Sequence, residues 1–151
     1  SGGEAFTADR NTCQAGGIGV YTTTQESLTS GAAFNAGFKK ASRIDCATAV
    51  ASPAGGDYFY FQHIIEAQDC LAFKKGTSNA ETMTVAFWVK SNKTGIYAIA
   101  LRKVDTTAYY YIKEYTISSA NTWEQKKITI TPTAGSTTLI TNSGGIIDNN
   151  K

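Results

Sequence analysis

Apolar positions in this chain fall into runs of period two, and the clearest run is Glu81–Ser91, ETMTVAFWVKS. Met83, Val85, Phe87 and Val89 take one face, and Thr84, Ala86, Trp88 and Lys90 take the other. Alternation with β-branched and aromatic residues predicts a strand with one face in a core. Ser91-Asn92-Lys93-Thr94-Gly95 then breaks the run with turn-forming residues. Tyr97, Ile99 and Leu101 share a face of the next strand, and a five-residue connection predicts an antiparallel hairpin. The apolar face of that hairpin requires a second layer to cover it.

The same reading extends along the chain. Val20–Thr24 is a short strand. Arg43–Ala51 sets Ile44, Cys46, Thr48 and Val50 against Arg43, Asp45, Ala47 and Ala49, and ends in the turn Ser52-Pro53-Ala54-Gly55-Gly56. Asp57–Glu66 is apolar or aromatic on both faces, which predicts a central strand covered on both sides. Ala67–Lys75 clusters Cys70, Leu71 and Phe73 and stops at Gly76, the pattern of one or two helical turns. Tyr109–Ile117 is a further strand, Trp123–Thr131 another with Ile128 and Ile130 inward, and Thr137–Thr141 a short one.

Short, closely spaced strands with one helical insert predict an all-β fold, an antiparallel jelly roll or β-sandwich spanning residues 42–151. Residues 1–41 are Gly-, Ala- and Thr-rich without sustained periodicity, and read as an extended N-terminal arm ordered by the domain or a neighbouring subunit. Asp148-Asn149-Asn150-Lys151 is turn chemistry, so a closing strand is expected beyond this segment. The chain starts at Ser1, as a processed protein or a piece of a longer one would.

Composition narrows the function classes. Hydrophobic residues make up 42% and charged ones 17%, with a net charge of +2, which gives no general reason to expect nucleic acid or an anionic membrane as partner. No apolar run approaches the roughly 18 residues of a membrane span. Cys13, Cys46 and Cys70 are widely spaced and odd in number, a pattern of free thiols more than of a disulfide framework or zinc site, with a pairing such as Cys46 with Cys70 left open by the sequence.

The ordered pieces Ile65-Glu66, Lys75-Gly76, Thr84–Ser91, Thr94-Gly95, Tyr115–Ile117 and Thr122–Ile130 resemble a jelly-roll domain common in virion structural proteins of tailed bacteriophages. They are similar also to carbohydrate-binding modules appended to bacterial polysaccharide hydrolases. The resemblance spans roughly Tyr58 to Thr131, and it rests on the order of the pieces, since each alone fits any β-sandwich. It implies a place in the virion as tail fibre, appendage or capsid decoration, with other virion proteins and further copies of the chain as partners.

Few residues could carry chemistry. Trp88, with Thr84 and Lys90 on the same face, forms a candidate platform for a sugar ring or a subunit contact. Tyr109 and Tyr110 point to opposite faces of their strand, so one of them reaches an accessible surface. His63 has no nucleophile or metal ligand at a telling spacing, and no two of Glu66, Asp69, Glu81, Glu114 and Glu124 are paired by the sequence as glycoside hydrolysis needs. No catalytic residue and no cofactor is expected. Asp57 or Asp148 could serve a structural calcium, without a spacing motif behind either. The expectation is a non-enzymatic virion structural protein, with host-glycan binding or a module of a secreted polysaccharide hydrolase as alternatives.

Overall fold

A computed structural model describes residues 5–8, 10–74, 79–104 and 108–131. The strands are β1 (Ala5–Ala8), β2 (Asn11–Gly16), β3 (Val20–Ser27), β4 (Lys40–Thr48), β5 (Tyr58–His63), β6 (Met83–Val89), β7 (Gly95–Val104), β8 (Ala108–Ile117) and β9 (Glu124–Ile130). A one-turn helix, α1 (Ala32–Asn35), follows β3, and a 3₁₀ helix covers Ala67–Phe73. All strand pairs are antiparallel, so the fold is all-β. The expected strand at Thr137–Thr141 and the polar end lie outside the described residues.

The chain forms two compact units, Ser1–Ile65 and Glu66–Lys151. In the first, β1, β2 and β5 make a sheet in that order, and β3 pairs with β4. Residues 11–35, within the stretch expected to be an arm, thus supply β2, β3 and α1. The two layers meet where Tyr21 of β3 stacks on Phe59 of β5, ring centroids 4.2 Å apart, and where the Thr23 hydroxyl donates to Cys13 Sγ at 3.3 Å. The β3–β4 connection closes through Leu28 N–H to Lys39 O at 2.9 Å and buries Leu28 and Ala33.

β5 corrects an expectation. It is an edge strand among the described strands, pairing only with β2, and Tyr58 and Phe61 remain 47% and 39% exposed. Aromatics on both faces signal cover on both faces only when that cover lies within the chain.

In the second unit β6 pairs with β9 and β7 with β8. The expected β6–β7 hairpin does not form. Each strand turns its apolar side to a shared core of Met83, Ile128 and Ile130, with Val85, Phe87, Ile99, Leu101, Tyr111 and Tyr115 packed against it. The loop between β6 and β7 is therefore an arch that carries the chain from one sheet to the other. Gly95, at φ 137°, makes the exit that residues with a Cβ rarely adopt. The Tyr97 hydroxyl lies 2.9 Å from Ser91 Oγ and donates to Lys93 O at 3.0 Å, bracing the arch.

The β8–β9 connection is braced in the same way. Glu124 Oε1 accepts from the backbone N–H of Ser118 at 2.9 Å and of Ser119 at 2.8 Å, and its Oε2 pairs with Lys126 Nζ at 2.5 Å. Phe73 joins the same core from the end of the 3₁₀ helix. That helix stops at Lys74, in the left-handed region at φ 48°, two residues before the glycine expected to end it.

Candidate functional sites on the outward sheet faces

Alternation along β6 leaves Thr84, Ala86, Trp88 and then Lys90 on the face away from the core. Across the pair, Thr84 meets Thr129, Ala86 meets Lys127 and Trp88 meets Gln125. The Thr84 and Thr129 hydroxyls lie 3.2 Å apart, and Trp88 is half-buried. Trp123, one residue before β9, continues the parity of Gln125, and Lys90 Nζ sits 5.3 Å from its ring centroid.

Both tryptophans of the chain therefore sit at one end of one outward face. Sequence reasoning brought out Trp88 and passed over Trp123. The signal was present, since Trp123 has the parity of Lys127 and Thr129 and the opposite parity to Ile128 and Ile130.

Tyr110 belongs elsewhere. It projects from the outward face of the β7–β8 pair, on the far side of the shared core from Trp88, so the two do not form one site. Ile96, Ala98, Ala100 and Arg102 of β7 and Tyr110, Ile112, Glu114 and Thr116 of β8 occupy this face. Ile96 is 69% exposed, Ile112 62% and Tyr110 51%, and the Arg102 guanidinium lies 5.5 Å from the Tyr110 ring centroid. Tyr109 belongs to β8, and its side chain lies outside the described residues.

The inward tyrosines are packed. Tyr115 meets Phe87 edge-on at 5.2 Å and stacks with Tyr97 at 5.8 Å, and burial pushes its hydroxyl pKa up.

Among the described residues no three His, Cys, Asp or Glu groups cluster as a metal site would need. His63 Nδ1 lies 2.9 Å from Asn11 Oδ1 on an exposed edge. Asp57 Oδ2 accepts from Ala54 N–H at 2.7 Å, so this carboxylate closes the turn before β5. Asp148 lies outside the described residues. All three cysteines are free thiols, with Cys13 and Cys70 buried and Cys46 exposed.

Compared with known proteins, the chain matches no family model, no curated protein and no solved structure.

Proposed function

We propose that this chain is a non-enzymatic structural protein of a virion that works as an assembly of several copies. The virion setting rests on the resemblance of its strand-and-turn succession to phage jelly-roll domains. The assembly rests on the outward face of β7–β8, where Ile96, Tyr110 and Ile112 stand more than half exposed. On this face Ile96 lies opposite Thr116, Ala98 opposite Glu114, Ala100 opposite Ile112 and Arg102 opposite Tyr110. A twofold axis along the strands would set β7 of one copy against β8 of the next, so that Ala100 of each copy receives Ile112 of the other. Three large side chains fall short of the ~800 Å² per partner of a standard interface, so this face works together with other contacts, as in a many-copy assembly. Electron microscopy of the assembled protein tests the reading: a second copy should cover Ile96, Tyr110 and Ile112, and finding them open to solvent in every copy would remove it.

A second reading, recognition of a host surface polysaccharide, is favoured by Trp88 and Trp123 sharing one face with Thr84, Gln125 and Lys90. Indole rings match the C–H face of a pyranose, and the polar neighbours can orient hydroxyls. A glycan array probed with assembled wild type and Trp88→Ala decides it, since the reading requires the variant to lose binding that wild type shows.

A further inference from the structure

A second aromatic surface lies in the first unit, on the face of β2–β5 turned away from the Tyr21–Phe59 stack. The register places Tyr58 opposite Gly16, Tyr60 opposite Gln14 and Gln62 opposite Thr12. Both tyrosines lean across β2. A Cβ on Gly16 would fall 2.6 Å from Tyr58 Cε1, 2.9 Å from Cζ and 3.2 Å from the hydroxyl oxygen, so the far edge of the Tyr58 ring occupies the space that the missing side chain leaves. The Tyr60 hydroxyl donates to Gln14 Oε1. The two rings stack on each other, within 22° of parallel and with centroids 5.7 Å apart.

The polar side chains of the Thr12–Gly16 and Tyr58–Gln62 rows that share this face are uncharged. Gln62 Nε2 donates to the Thr12 hydroxyl at 2.8 Å, and Thr12 is fully buried, which fixes the amide. These bonds use Gln14 Oε1 and Gln62 Nε2, so Gln14 Nε2 and Gln62 Oε1 carry the remaining donor and acceptor capacity beside the rings. Thr12, Gln14, Gly16, Tyr58, Tyr60 and Gln62 bring no formal charge.

We propose that Tyr58 and Tyr60, flanked by Gln14 and Gln62, bind a neutral hexopyranose chain. Tyr58, 47% exposed and backed by the stacked Tyr60 ring, offers apolar ring surface to a sugar, and the amides meet hydroxyls at its rim. An anionic polysaccharide or a single-stranded nucleic acid could also stack here, but each is held mainly by basic residues, and none of the six platform residues is basic. The inference is independent of the virion reading, because the platform is complete within one chain.

The test is titration of the full chain with hexaoses of β-linked glucose and of β-linked galactose, followed by amide NMR shifts. A polygalacturonate hexamer and an oligothymidylate serve as charged alternatives. A neutral hexaose should shift the amides of Gln14, Gly16 and Gln62. Tyr58→Ala should weaken that binding about tenfold or more, the loss expected for removing one stacked ring. Gly16→Ala, which keeps every binding group and displaces the Tyr58 ring, should weaken it as well. Shifts confined to β6 and β9, equal binding by both variants, preference for a charged probe, or no shift with either neutral hexaose would each overturn the proposal.

Discussion

Ile130 and Ile112 are the same residue type and each is paired across a strand, with Met83 and Ala100, yet one is 1% exposed and the other 62%. Ile130→Ala should cost about 2–5 kcal/mol, since it leaves a cavity between the two sheets, whereas Ile112→Ala should stay within about 0.5 kcal/mol in the isolated chain. Urea denaturation of the two variants measures both, and similar losses would mean that the inward and outward faces are misassigned.

Glu124 gives a pH handle. The bond from Lys126, followed by the Ser119 and Ser118 amides, holds its pKa below the usual carboxylate range. A lowered folded-state pKa contributes stability that is present above the unfolded value, about 4.3, and lost as pH falls through the folded value. Wild type should therefore weaken on acidification below about pH 4 more steeply than Glu124→Gln, as read from urea midpoints across pH. Parallel curves would show that the Ser118–Ser119 turn does not depend on this carboxylate.

Among the elements, the β6–β7 arch separates what was legible from what was not. Period two identified which side chains of β6, β7 and β9 point inward, because parity depends only on the local backbone. It could not identify the neighbouring strand. Ser91-Asn92-Lys93-Thr94-Gly95 suits a hairpin and an arch equally, and the choice falls to the core, where Val85, Phe87, Ile99 and Leu101 all pack against Met83, Ile128 and Ile130. β5 escaped for a related reason, since aromatic residues on both faces look alike in a central strand and in an edge strand with unfilled faces. The Tyr58 platform was hidden because it depends on the register that sets Gly16 opposite Tyr58, and register is a long-range property. Gly95→Ala isolates the arch: no atom lies within 4 Å of the added Cβ, so a loss of about 1–3 kcal/mol would come from backbone conformation alone. No change in stability would mean that the arch does not need a glycine.

At the scale of the whole molecule, the two units divide the tests. Removing residues 1–40 strips β5 of β2 and β4 of β3, so backbone amides of 58–63 should lose their protection in hydrogen exchange while β6–β9 keep theirs. Protection of 58–63 that survives the deletion would show residues 1–40 to be the extended arm that their composition suggests. The central claim is assembly through the outward face of β7–β8. Its most direct measurement is sedimentation velocity of the full chain over a concentration series, beside a double variant, Ile96→Lys with Ile112→Lys. Both side chains are largely exposed, so the charges should leave the fold intact. The wild type should sediment as a multimer, and the double variant should shift markedly toward monomer. A wild type that sediments as a monomer throughout, or a double variant that assembles as well as wild type, would contradict it.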